Sequence, residues 1–237
     1  MLWKIGNLTI QDKFPKITKI ALSFAETQLE AILNDPNVYY SQGHFEYPQS
    51  QRPDKIGNHL DSLILFEPIA ANAEFLNWLV ADLQLFIEQE KLDFDTIFAP
   101  AQKSVIKFVE ILTKRLNVKA AYLEYLPTGW FGNKITEGKI GKGDKVLVLN
   151  GVSQQGRCVG LRLPELVKMY EGNVVGAAVF ASGNGLGVQE ACKTYGSKFY
   201  RSIECNLNVY NPANCPLCKD KTNELIAWTK YRDLVNV

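Results

Sequence analysis

Lys145-Val-Leu-Val-Leu-Asn-Gly-Val-Ser-Gln-Gln-Gly-Arg-Cys158 is the stretch whose reading settles the fold. Val146 to Leu149 is a run of consecutive apolar residues, too short for an isolated helix. It has the length and β-branched content of a strand covered on both faces. Asn150 to Arg157 is a polar turn with two glycines, and Val159 to Tyr170 then carries apolar residues at helical spacing. A strand that feeds a helix through such a turn points backbone N–H groups and the positive end of the helix dipole outward, which suits an anion.

The same alternation extends on both sides. Thr96 to Pro100 reads as a buried strand, Val105 to Arg115 as a helix, Lys119 to Leu126 as a strand, and 127–138 as a Gly-bearing loop. After the decisive stretch, Val174 to Ala181 is a second buried strand. Gly183 to Gly187 is a turn, Val188 to Tyr195 a helix and Phe199 to Glu204 a last strand. Strands alternating with helices predict an α/β fold with a mostly parallel sheet flanked by helices. Ligands of such sheets bind beyond the carboxyl ends of the strands, and the turn after Leu149 lies at such an end. Gly183-Asn-Gly-Leu-Gly187 lacks the spacing and the following acid of a dinucleotide fingerprint and reads as a turn.

Upstream, Ile17 to Asn34 reads as a helix ended by Asp35-Pro36, and Pro68 to Lys91 as a long helix. Between them, Tyr39 to Asp61 is polar and aromatic and reads as a loop or irregular hairpin. The expected organisation is an N-terminal helical hood (1–68), an α/β core (69–205) and a Cys-bearing C-terminal tail (206–237). The 237 residues are 46% hydrophobic and 22% charged, a globular balance with formal charge +1. No basic run exceeds two residues, so nothing favours nucleic acid or an anionic membrane as partner. The N-terminus lacks the apolar core of a signal peptide, and no apolar run approaches the roughly 18 residues that span a bilayer. A cytoplasmic location is the expectation.

Four stretches follow one another along the chain: Asp95-Thr-Ile-Phe-Ala-Pro-Ala-Gln-Lys-Ser104, Thr128-Gly-Trp-Phe-Gly-Asn-Lys-Ile-Thr-Glu-Gly138, Ile140-Gly-Lys-Gly-Asp-Lys-Val-Leu-Val-Leu149, and Val174-Val-Gly-Ala-Ala-Val-Phe-Ala181 with Gly183-Asn-Gly and Tyr195-Gly196. Together they resemble the type I phosphoribosyltransferases, and within them the orotate phosphoribosyltransferase branch. The resemblance implies a pyrophosphate turn at 102–104, a mobile loop at 128–138, a ribose-phosphate loop at 150–157 and a homodimer. For an active enzyme it implies Asn150 on the ribose, Ser153, Gln154, Gln155 and Gly156 on the 5-phosphate, and Lys103 and Lys134 on pyrophosphate. Mg²⁺ would then sit on the diphosphate of phosphoribosyl pyrophosphate (PRPP).

The departures from that pattern are systematic. The acidic pair of the PRPP signature is replaced by Asn150-Gly151, two loop threonines by Gln154 and Gln155, and a loop glycine by Arg157. The lysine and histidine of the mobile loop are replaced by Leu126-Pro127-Thr128. A neutral Asn150 cannot supply the field that carboxylates give to a cationic transition state. The resulting expectation is a catalytically impaired or repurposed member that binds a phosphorylated, nucleotide-like ligand. An active phosphoribosyltransferase and an interaction scaffold without a small ligand are the alternatives. Arg157 either pairs with a phosphate or occupies the site.

Five cysteines stand at 158, 192, 205, 215 and 218. Cys158 and Cys192 read as small apolar residues. Cys215-Pro-Leu-Cys218 has the spacing of half a zinc knuckle, and a four-ligand site needs two more ligands. Cys205 is one candidate, Cys192 a weaker one, and His44 and His59 are others. A redox pair and plain packing are the competing readings. The two histidines also read either as base-recognising or as solvated loop residues. Trp130-Phe131 either covers a ligand base, is buried permanently or packs on another subunit.

Overall fold

The computed structural model describes residues 9–47, 57–126, 129–154, 156–183, 186–220, 224–227 and 230. Gln155 of the expected phosphate loop, Pro127 and Thr128, Asn184 and Gly185, and 48–56 of the hood lie outside these residues. Helices are α1 (Ile10–Lys13), α2 (Glu26–Leu33), α3 (Glu67–Ala71), α4 (Ala73–Gln89), α5 (Lys103–Leu116), α6 (Leu163–Met169), α7 (Leu186–Tyr195) and α8 (Pro216–Asp220). The main sheet contains β1 (Ile17–Lys19), β6 (Thr96–Pro100), β7 (Lys119–Tyr125), β8 (Phe131–Gly138), β9 (Lys145–Ser153), β10 (Asn173–Ser182) and β11 (Lys198–Cys205). Its order is β1-β11-β10-β9-β6-β7-β8. The five inner strands are parallel, and β1 and β8 are antiparallel edges.

The sheet is buried on both faces because its central strands are apolar throughout. Leu147 and Leu149 face one cluster with α4 and α5, while Val146 and Val148 face another with α6 and the π-helical turn Cys158–Arg162. Alternation with period two along β9 sends successive side chains to opposite faces. The first cluster also takes in Ile10, Ile17, Leu29 and Ile32, so this part of the hood shares the principal core.

Both helices expected ahead of the first core strand need correction. Ile17 to Lys19 is not helical: Ile17 pairs with Cys205 and Lys19 with Ile203, and the helix begins only at Glu26. The long helix from Pro68 is broken at Asn72, whose side-chain oxygen accepts from the N–H groups of Glu74 and Phe75 and so caps α4. The loop expected at 127–138 is largely β8, paired to β7 through Leu123 with Ile135 and Tyr125 with Phe131. No helix among the described residues is long and apolar enough to cross a membrane.

Two small sheets complete the hood. β2 (Tyr39–Tyr40) pairs with β5 (Leu63–Ile64). β3 (Phe45–Glu46), β4 (His59–Leu60) and β12 (Val209–Tyr210) form the other, with β4 in the middle. The tail therefore adds a strand to the hood. Their shared core is small: Phe45, Tyr47, Leu60, Leu63 and Leu65, with Tyr40 and Val209 against them.

Candidate functional site: the crevice between β6 and β9

Strand β6 sits between β7 and β9, so the chain's winding reverses between β6 and β9. Beyond the carboxyl ends of the strands, that switch point is where an α/β sheet leaves a crevice. The turn Gln102–Ser104 leaves β6 there and the 154–157 turn leaves β9 there, which brings the expected pyrophosphate and phosphate turns to one edge.

Strand β9 runs four residues further than the apolar stretch suggests, to Ser153. Asn150 and Gly151 are thus ladder residues, not loop residues, and Asn150 is opposite Val179. The Asn150 side-chain oxygen accepts from the Gly151 N–H at 2.8 Å. The Cys158 thiol donates to Ser153 Oγ at 2.7 Å, and burial pushes that thiol's pKa up. The side chains of Asn150 and Ser153 are therefore engaged by near neighbours in the chain.

Gly151 shows what occupies the second position of the lost acidic pair. A Cβ built there would lie 2.3 Å from Phe66 Cγ and 2.5 Å from Phe66 Cδ1. The Phe66 ring is buried and packs near Phe108 and Phe180, at centroid distances of 5.7 and 6.5 Å. The next residue, Glu67, opens α3 and turns its carboxylate onto the other turn. Its Oε1 accepts from Gln102 Nε2, and from Ser104 Oγ at 3.4 Å. Burial lifts this carboxyl from its ordinary range to about 7, against the hydrogen bonds that favour its charged form. Phe66 and Glu67 were not legible as site residues: an aromatic–acid pair before a helix carries no motif, and only the tertiary fold brings it to the crevice.

The turn that leaves β9 contains a position only glycine can fill. Gly156 has φ +73° and is buried, and a Cβ there would lie 2.3 Å from Val188 Cγ2. Only glycine allows both that backbone and that close approach. Gln154 Nε2 is buried with no hydrogen-bond partner among the described residues, an unpaired donor at the turn. Arg157 is exposed. Lys103 is exposed at the start of α5. Lys134 is exposed on the edge strand β8, three strands away from β9, and is not brought to the turn. Trp130 and Phe131 are half-buried, with the Phe131 ring 6.2 Å from that of Tyr125.

A second cluster forms where the tail meets the hood. One ligand-type atom each from His44, His59, Cys215 and Cys218 lies within 4.8 Å of all the others. His44 and His59 are buried, not solvated, and face each other across β3 and β4. Burial and the neighbouring His44 push the His59 pKa down, which favours the neutral ring, while Glu46 opposes this. Cys205 is not in this group. It ends β11 opposite Ile17, fully enclosed in the principal core, and burial pushes its thiol pKa far up. The expectation that Cys205 joins Cys215 and Cys218 therefore gives way to the histidine pair. Cys192 lies in the other main-sheet cluster, as a small apolar residue.

No family model matches the chain. Among curated proteins, the orotate phosphoribosyltransferase of Caldicellulosiruptor saccharolyticus is 28% identical over 165 residues, covering 68% of this chain and 79% of that protein. The orotate phosphoribosyltransferase of a Sulfurovum species is 23% identical over 207 residues, 81% of this chain and 94% of that protein. Among solved structures, the orotate phosphoribosyltransferase of Aeropyrum pernix matches with a TM-score of 0.55 at 16% identity, over 74% of this chain and 92% of that one. The UMP synthase of Leishmania donovani matches with a TM-score of 0.57 at 15% identity, over 75% of this chain and 36% of that one. With its switch-point crevice and its parallel five-stranded centre, this chain has the fold of the type I phosphoribosyltransferases, and its sequence is similar to those of the orotate phosphoribosyltransferases.

Proposed function

We propose that this chain keeps the phosphate-binding turn of the phosphoribosyltransferase fold and has lost phosphoribosyl transfer. The reading rests on one observation above all: Phe66 and Glu67 occupy the switch-point crevice, the ring against Gly151 and the carboxylate on Gln102 and Ser104. A ribose acid at 151 has no room. A diphosphate entering at 102–104 would meet the Glu67 carboxyl, which carries charge above about pH 7 and in that form repels it, and which already takes up the Gln102 and Ser104 side chains. An active enzyme of this kind would hold Mg²⁺ on that diphosphate. The residues present do not suit it, since 150 and 151 offer no carboxylate and Glu67 already accepts two hydrogen bonds.

The phosphate turn itself supports retained binding. Gly156 holds the left-handed backbone that a glycine in such a turn allows, and backbone N–H groups there do not depend on the replaced side chains. Among the described residues the buried Gln154 amide nitrogen has no acceptor, an arrangement that costs ~1–3 kcal/mol and that a phosphate oxygen would relieve. The ligand proposed is phosphorylated and nucleotide-like. Calorimetric titration of the full chain with nucleoside monophosphates, PRPP and orotate tests this. Binding of a monophosphate without pyrophosphate release is the expected result. Turnover would restore the active-enzyme reading, and silence towards every phosphorylated compound would leave the fold as an interaction scaffold.

A further inference from the structure

We infer that His44, His59, Cys215 and Cys218 form a structural zinc site that clamps the C-terminal tail to the hood. The four donors come from three separate places in the chain, the residue directly ahead of β3, β4 and the Cys-x-x-Cys turn at the start of α8, and converge on one point. His44 Nε2 lies 3.7 Å from Cys215 Sγ and 3.5 Å from Cys218 Sγ, and His59 Nδ1 lies 3.3 Å from Cys218 Sγ. Zinc bonds of about 2.3 Å to sulfur and about 2.0–2.1 Å to nitrogen set tetrahedral edges of about 3.6 Å for N···S and about 3.4 Å for N···N. The nitrogen–sulfur separations match. The two nitrogens, at 2.8 Å, stand closer than a tetrahedral edge, at the spacing of a hydrogen bond between the rings.

A hydrogen-bonded histidine pair alone does not explain the thiols. A single shared proton satisfies the two facing nitrogens, yet two sulfurs close on the same nitrogens, one of them fully buried. Thiols are weak hydrogen-bond formers and gain little from such convergence, whereas thiolates and neutral imidazoles are the donor set zinc prefers. All four positions are filled by protein, which leaves no open site for substrate or water, so the role is structural.

The placement explains what the metal would do. The small core between hood and tail holds few residues, and modules of that size commonly depend on a metal or disulfide for stability. The tail is held at both ends of the ligand pair. On one side β12 pairs with β4, and Asp61 accepts from Asn208 Nδ2 and Tyr210 OH. On the other, Ile226 bridges Phe45, with its N–H donating to His44 O. Removal of one exposed ligand therefore leaves the tail other attachments, and Cys218→Ser is a variant expected to fold.

The test uses the full chain purified without added metal. Elemental analysis is expected to find about one zinc per chain, and X-ray absorption two sulfur and two nitrogen neighbours. Replacement of the metal by Co²⁺ is expected to give the intense visible bands of a tetrahedral ion with thiolate charge transfer. Cys218→Ser should weaken metal retention at least tenfold and lower the charge-transfer band, whereas Cys205→Ala should leave both unchanged. Chelator should open the tail to protease in the wild type. Metal-free protein that also gives no cobalt spectrum, iron or copper in place of zinc, or cobalt bands unaltered by Cys218→Ser would each overturn the inference.

Discussion

At the scale of single residues, the contrast between position 151 and its neighbour 66 matters most. Glycine there is no mere deletion of a carboxylate, because the space its side chain would need is taken by the Phe66 ring. Gly151→Asp is accordingly expected to destabilise the protein by about 1–3 kcal/mol through overpacking and a buried charge, read as a lowered denaturation midpoint. Asn150→Asp with Gly151→Asp is expected to bring no phosphoribosyl transfer, and detectable pyrophosphate release by that double variant would show the crevice to be open. Glu67 gives a pH signature. Its carboxyl titrates at about 7 when folded and near 4.5 when unfolded. Below about 4.5 it is protonated in both states and costs nothing. As pH rises from there through about 7, the unfolded chain gives up the proton first and the folded state loses stability. Glu67→Gln keeps an oxygen for Gln102 and removes that penalty. The variant should match the wild type near pH 4.5 and exceed it by about 1–3 kcal/mol at pH 8. Equal stability of the two proteins at pH 8 would place the carboxyl outside the buried crevice. Neither residue was visible in the sequence, because no local pattern announces a side chain that reaches across the fold.

At the scale of elements, the sequence was most legible where periodicity and covering agree. β6, α5, β7, β10 and β11 stand within a few residues of their expected bounds, since apolar strands buried on both faces and amphipathic helices leave unambiguous patterns. The failures have physical causes. The segment from Ile17 carries Ile20, Leu22 and Phe24 at positions compatible with a helix, but an antiparallel partner in β11 captures Ile17–Lys19 as a strand. The segment from Phe131 looked like a loop because polar residues and glycines dominate it, yet an edge strand needs only one covered face and tolerates both. β9 continues past its apolar run because the ladder with β10 continues, through Asn150 with Val179 to Ser153 with Ser182. The break at Asn72 was available as a capping residue inside a long apolar pattern. Asn72→Ala is expected to cost about 1 kcal/mol, the usual loss for a side-chain N-cap, by thermal or chemical denaturation. A buried network ties three elements: Asp82 of α4 accepts from Tyr200 OH of β11 at 2.6 Å and from Ser23 Oγ at 2.8 Å ahead of α2. Tyr200→Phe is expected to destabilise by about 1–3 kcal/mol, because it strips one donor from a fully buried carboxylate.

At the scale of the whole molecule, hood, sheet and tail are interleaved. The hood lends β1 to the main sheet, and the tail returns past the sheet to pair with the hood. The Cys-x-x-Cys spacing was legible as half a metal site, but its other half was not, because His44 and His59 lie far upstream and only the β3–β4 pairing sets them side by side. The pairing of two chains remains an expectation from the resemblance, and light scattering at micromolar concentration should return twice the mass of one chain. The same resemblance supplied the fold and located the crevice, while the physical state of the crevice came from packing. If Phe66 and Glu67 hold that crevice closed to PRPP, one measurement bears on it most directly: pyrophosphate release by the unmodified full chain supplied with PRPP, orotate and Mg²⁺. The expected result is no release above the enzyme-free background, whereas turnover within the ordinary enzyme range of ~1–10³ per second would contradict it.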